Sequence, residues 1–290
     1  MMMKKVLTFI LVLLQAVACG QVKGKGTENL DNEAYLTTPE DMVLAERVME
    51  ELAPHAAEGT AELMVRTAEM LIGQQYVAGT LDEQSREQLC LYLTRIDCIL
   101  FVESCLGLAR TVHSGGDFEA YADEIRHLRY RDGKTDAYAD RLHYTTEWAR
   151  QGVARGVLQD VTKELGGVPF DHPVSYMSAH PDAYPRMSEA DLAAIREVER
   201  SINASPSLYI PKNSLTRALK GIRSGDILCF TSRIEGLDIA HVGIAVVQDG
   251  TVGFIHASTG AMEVVLEPKP LGDYLQGKKG MTGLQVYRPR

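Results

Sequence analysis

The sequence predicts an α/β fold of the α+β kind: a buried helix packed on an antiparallel sheet, with a large helical and loop region inserted between them. Three observations predict it. The run from Cys98 to Arg110 is almost wholly apolar, too hydrophobic for a surface helix. Far downstream, the stretch from His241 to His256 flanks Asp249-Gly250, a strong signal for a two-residue hairpin loop. Between them lie stretches with apolar residues at helical spacing, so the intervening chain is folded and is not a linker.

Taken in order, the chain opens on an export signal. Lys4-Lys5 precede the short apolar stretch Val6 to Leu14, and Ala16-Val17-Ala18 supplies small residues before a cleavage site. The stretch is short for a membrane span. Cys19 directly after it resembles the lipidated cysteine of a bacterial lipobox, which makes residues 1–19 a signal with a lipid anchor point. Plain cleavage and release to the periplasm is the alternative. Residues 20–37 read as a flexible tether, rich in Gly, Lys, Asn and Glu.

From residue 38 to 290 the chain reads as a single catalytic domain of about 250 residues, long enough for a sizeable core. Thr38-Pro39 is a helix start, with Thr as cap and Pro at the first helical position. A second helix is expected from roughly Ala61 to Ile72, ending at the Gly73 turn. The apolar run from Cys98 forms the third, ending near Arg110. The insertion covers about 111–221. Within it, Phe118, Tyr121, Ile125 and Leu128 form one stripe, and Leu192, Ile195, Val198 and Ile202 form another behind a Ser188 cap.

The hairpin carries the chemistry. If Asp249 and Gly250 are its loop, Gln248 pairs with Thr251, and Gly243 falls opposite His256. His241 is then the diagonal neighbour of His256, on the same face, with room left by Gly243. That face, His241-Gly243-Ala245, is small enough for a helix to approach. The other face, Val242-Ile244-Val246, reads as ordinary core.

Cys98 lies in the first turn of the buried helix, where free amides and the helix dipole favour thiolate and a nearby imidazole adds to the effect. The same amides are suited to an oxyanion formed by attack on an amide carbonyl. A lone cysteine in an apolar helix is more often core, which is the reading for Cys105. The combination of Cys98, His241 and His256 points instead to an activated nucleophile, its base and an orienting group.

These residues resemble a family. Ile96-Asp97-Cys98, Ala240-His241-Val242-Gly243-Ile244 and Phe254-Ile255-His256-Ala257-Ser258-Thr259 look like the catalytic motifs of the NlpC/p60 papain-like cell-wall hydrolases. Leu71 to Leu81 resembles the segment that leads to the nucleophile, and Gly225 to Phe230 the strand before the histidine. The long gap between Cys98 and His241, Gly236-Leu237-Asp238, and Arg141 to Trp148 resemble one branch, the N-acetylmuramoyl-L-alanine amidase-like proteins. That resemblance implies a papain-like fold and hydrolysis of the amide between N-acetylmuramic acid and L-alanine, with a preference for anhydro-muropeptides.

Carried over residue by residue, Cys98 is the nucleophile, His241 the general base and later acid, and His256 the group that orients His241. Tyr76 matches a tyrosine lining the active site, or else anchors its loop. Asp97 contacts substrate or caps the helix. In the insertion, Arg141, His143, Tyr144 and Trp148 have suitable chemistry for a glycan or lactyl-peptide, or else anchor a structural helix.

No metal or organic cofactor is implied, since the Cys98, His241 and His256 set lacks a further carboxylate or cysteine nearby. Cys90, Cys105 and Cys229 are expected to be free, buried thiols. The expected partners are peptidoglycan fragments, and the membrane through a lipid at Cys19. A formal net charge of -9 and the lack of a basic run after the leader argue against nucleic acid. The rivals to the amidase are an endopeptidase cutting the D-glutamyl to diamino-acid bond, a non-catalytic wall-binding lipoprotein, and an acyl or peptidyl transferase.

Overall fold

A computed structural model describes residues 30–32 and 34–290. The expected export signal and Cys19 lie outside the described residues. The architecture is mixed α/β, built on a ten-stranded sheet and a separate three-stranded one.

The small sheet corrects the tether boundary. Strands β1 (Leu30–Asn32) and β2 (Tyr35–Thr37) pair antiparallel, and β2 runs parallel to β4 (Cys90–Leu91). Tyr35, Leu36 and Thr37 are buried, and the Tyr35 hydroxyl donates to Glu119. The apolar Tyr-Leu pair thus draws the C-terminal part of the expected tether into the domain.

Helix α1 (Pro39–Leu52) starts where the cap signal placed it, with the Thr38 hydroxyl accepting from the Asp41 amide. Helix α2 (Thr60–Met70) follows. Both pack on α3 (Cys98–Ser114), which runs one turn past Arg110 because Thr111 and Val112 are also buried. Gly115, with positive φ, then ends it. In α4 (Phe118–Arg129) every residue of the expected stripe is buried.

The insertion is more than helices and loops. Helix α5 (Thr145–Ala154) and α6 (Glu189–Asn203) pack beside strands that join the main sheet. The strands are β6 (Leu158–Asp160), β7 (Val168–Pro169) and β8 (Leu208–Pro211); β6 and β8 both pair with the C-terminal strand Met281–Pro289. Ser188 caps α6 through a reciprocal capping box with Asp191.

The sheet centre is formed by β9 (Ile227–Ser232), β10 (Ile239–Gln248) and β11 (Thr251–Ser258). Asp249 and Gly250 have φ of 49° and 76°, the pair of positive values a type I′ loop requires. The register is Gln248 with Thr251 through Ile244 with Ile255, as the turn chemistry predicts. Beyond β11 the order runs through β12 (Glu263–Leu266) and β3 (Gln75–Tyr76) to β5 (Arg95–Ile96), the strand that delivers the chain to Cys98.

Candidate active site

Asp97 is the N-cap of α3, its Oδ1 accepting from the Ile99 and Leu100 amides at 3.1 and 3.0 Å. Its carboxyl is held above the usual range by burial, opposed by those amides and by the guanidiniums of Arg129 and Arg141. The cap fixes Cys98 as the first residue of the helix. Tyr76, half-buried on β3, pairs with Ile96, two residues before Cys98. Burial first, and then the charges of Cys98 and Asp97, raise its phenol.

The two imidazoles meet. His241 Nε2 and His256 Nδ1 are 2.6 Å apart, with the rings edge to face, and both side chains are buried. A Cβ on Gly243 would lie 3.2 Å from the His256 Cβ, which places that glycine against His256 as the hairpin register requires. A feature invisible in the sequence precedes His241. The β9 to β10 register shifts between Ile239 and His241, a bulge of the kind that re-aims a side chain.

The faces of the ribbon are assigned opposite to the expectation. Helix α3 packs on the Val242 and Ile244 side, in one core cluster with Ile255 and Ala257. The histidine side is occupied by Phe230, Phe254 and Tyr274, and the helix covering it is α7 (Leu271–Gly277). The large β-branched residues of β10 offer α3 more apolar surface to bury than His241, Gly243 and Ala245 do. The group of β10 that reaches Cys98 is the Val242 backbone amide, one residue from His241, which bonds toward the sulfur. Among the described residues, no hydrogen bond joins Cys98 to His241.

The electrostatics also depart from the expected thiolate. Burial, and next the Asp97 carboxylate, push the Cys98 thiol up to about 12 against the pull of the Val242, Cys98 and Ile99 amides. His241 is lowered to about 3 by burial, then by His256 and Lys278. His256 is lowered to about 4 by burial and Lys278. These shifts favour the neutral thiol of Cys98 and the neutral imidazole of His241.

The insertion residues divide. Arg141 is buried and pairs with Asp82 at 2.6 Å and Glu87 at 3.5 Å, with Arg186 completing the cluster. This cluster ties the insertion to the segment after Tyr76. His143 Nε2 bonds the Tyr138 carbonyl at 2.8 Å, and burial lowers it to about 3. Tyr144 donates to Glu199 and accepts from the Met177 amide, inside a core cluster. Tyr144 and Trp148 are each 2% exposed, so neither ring presents an open face for a sugar. Their hydrophobic area is used in packing α5. Cys90, Cys105 and Cys229 are free and buried.

Two charged residues near the imidazoles were not singled out from sequence. Glu267 follows β12, its Oε2 lying 3.5 Å from His256 Nε2. Lys278 stands over the Tyr274 ring at 4.5 Å. Neither sits at a spacing that links it to the Cys98, His241 or His256 segments.

The family model of AmiA-like, N-acetylmuramoyl-L-alanine amidase-like proteins matches residues 66–281. No curated protein matches the chain. Among solved structures, an N-acetylmuramoyl-L-alanine amidase from Bacteroides uniformis is 33% identical, with 80% of this chain and 99% of that chain covered and a TM-score of 0.73. A Bacteroides fragilis protein provisionally named a xylanase is 32% identical, with coverage of 77% and 99% and a TM-score of 0.71. A Legionella pneumophila protein, 20% identical over 86% of this chain and 94% of its own at a TM-score of 0.64, shares the fold alone.

Proposed function

This chain belongs to the AmiA-like, N-acetylmuramoyl-L-alanine amidase-like family, and from that premise we propose that it is a cysteine amidase of peptidoglycan fragments. Its substrate is the amide joining the lactyl group of N-acetylmuramic acid to L-alanine, in muropeptides that include the anhydro form. The observation that carries this reading is the 2.6 Å His241–His256 pair on the strand whose Val242 amide faces the Cys98 sulfur. A papain-like NlpC/p60 arrangement accounts for this order of helix, histidine strand and third residue.

His241 Nε2 is engaged by His256, which leaves Nδ1 to exchange the proton with Cys98. As the sulfur attacks the lactyl carbonyl, His241 takes the thiol proton and the amides at the start of α3 receive the oxyanion. The C–N bond breaks as His241 returns that proton to the alanine nitrogen, releasing the peptide and leaving a thioester. Water then attacks, its proton passing to His241, and the carboxylic acid and free thiol are restored. The leader motif supports an exported, periplasmic or lipid-anchored protein, which brings it to this substrate.

Mass spectrometry of a defined anhydro-muropeptide incubated with the protein tests the reading, with Cys98→Ala as control. Free peptide beginning with L-alanine is expected, absent with Cys98→Ala. A cut after D-glutamate would make the protein an endopeptidase instead. Turnover undiminished in Cys98→Ala would remove the cysteine mechanism altogether.

A further inference from the structure

We propose that Glu267 is a positioning residue that sets which nitrogens of the His241–His256 pair carry protons. The inference rests on the reading of Cys98, His241 and His256 as the catalytic set.

The argument is one of proton counting. A hydrogen bond between His241 Nε2 and His256 Nδ1 needs one donor and one acceptor. For His241 to accept the thiol proton at Nδ1, that nitrogen must be bare, so the ring carries its hydrogen on Nε2 and donates to His256. His256 Nδ1 is then the acceptor, and the His256 hydrogen has to sit on Nε2. The opposite arrangement puts the hydrogen on His241 Nδ1, where the ring cannot act as base. Because the two tautomers are locked together, whatever faces His256 Nε2 selects the state of His241.

What faces it is Glu267. His256 Nε2 is buried and has no hydrogen-bond partner, and the Glu267 Oε2 stands 3.5 Å away on a side chain only 13% exposed. The carboxylate is itself held. The Glu267 amide donates to the Phe254 carbonyl at 3.0 Å, anchoring it beside β11, and its Oε1 accepts from the Lys269 amide at 3.3 Å. Oε2 is left directed at the imidazole. The other groups facing His256 are the Phe254 and Tyr274 rings, neither of which competes for an Nε2 hydrogen, and the charge of Lys278, which disfavours protonating both rings at once. An acceptor-only carboxylate therefore favours the Nε2–H form of His256, and through it the competent form of His241. The 3.5 Å gap is short enough to tighten in the substrate complex.

Side-chain nitrogen NMR of the histidines in the whole protein reads each tautomer without reference to activity. Hydrogen on Nε2 of both His241 and His256 is expected, and hydrogen on His256 Nδ1 in the unaltered protein would overturn the proposal. Glu267→Met keeps the length and removes the acceptor; a mixed tautomer population and a kcat lower by about tenfold to a hundredfold, with KM unchanged, are expected. Glu267→Gln retains an acceptor oxygen and should recover part of that loss. Wild-type tautomers and kcat in Glu267→Met would sink the idea. If the unaltered protein cleaves no muropeptide while Glu267→Met still shifts the tautomers, the proposed activity fails and the proton arrangement stands.

Discussion

Gly243→Ala tests the histidine geometry with the smallest perturbation available. A Cβ at that position would lie 2.9 Å from the Phe254 Cδ2, 3.0 Å from the Ile255 carbonyl oxygen and 3.2 Å from the His256 Cβ. Ordinary carbon contacts begin near 3.5 Å, so the two strands must separate by roughly 0.5 Å. The Phe254 ring can swing, but the Ile255 oxygen belongs to the sheet backbone and the His256 Cβ to the residue that holds His241. Overpacking of this size costs about 1–3 kcal/mol, or roughly 2–10 °C in Tm. The larger effect should fall on catalysis, since misplacement by about 1 Å can cost a hundredfold and half that displacement on the order of tenfold. Gly253→Ala is the control on the same hairpin: its Cβ would sit 3.7 Å from the Val246 carbonyl oxygen and 3.9 Å from Leu266 Cδ1, in open contact. Thermal melts and steady-state muropeptide cleavage on both variants decide the matter. Equal behaviour of the two would refute the claim that close approach at Gly243 seats the imidazole pair.

Two further predictions follow from the charges. With the Cys98 thiol pushed up to about 12, its alkylation rate should climb about tenfold per pH unit from pH 7 to pH 10, as the thiolate fraction does; a plateau already reached by pH 6 would mean a preformed thiolate–imidazolium pair. The Glu103–Arg129 pair, 2.7 Å apart with both side chains 4% exposed, locks α3 against α4. Arg129→Met should cost about 3–5 kcal/mol by leaving Glu103 buried and alone, and adding Glu103→Leu should restore much of it. Denaturant melts showing the double variant no more stable than the single would contradict that account.

Local signals in the chain proved reliable because each depends on neighbours a few residues away. Thr38 and Ser188 announce helix starts through side chains that reach only to the third residue along, and both caps form. Asp249-Gly250 supports positive φ at two successive positions, which sets the hairpin register and with it the meeting of His241 and His256. The Asp97-Cys98 junction likewise contains its own cap. The polar composition of residues 20–37 reads as a tether, while the Tyr35-Leu36-Thr37 end finds partners at Cys90 and Leu91, far along the chain.

The sequence by itself determined that a cysteine would begin a buried helix and that two histidines would share one face of a hairpin. Only the tertiary structure decided which ribbon face receives that helix, that Tyr144 and Trp148 are spent in the core, that desolvation pushes the Cys98 thiol up, and that Glu267 stands behind His256. The physical reason is range. Capping and turn preferences act within one turn of backbone, whereas burial, desolvation and the company of a charge depend on segments the chain brings together from a distance.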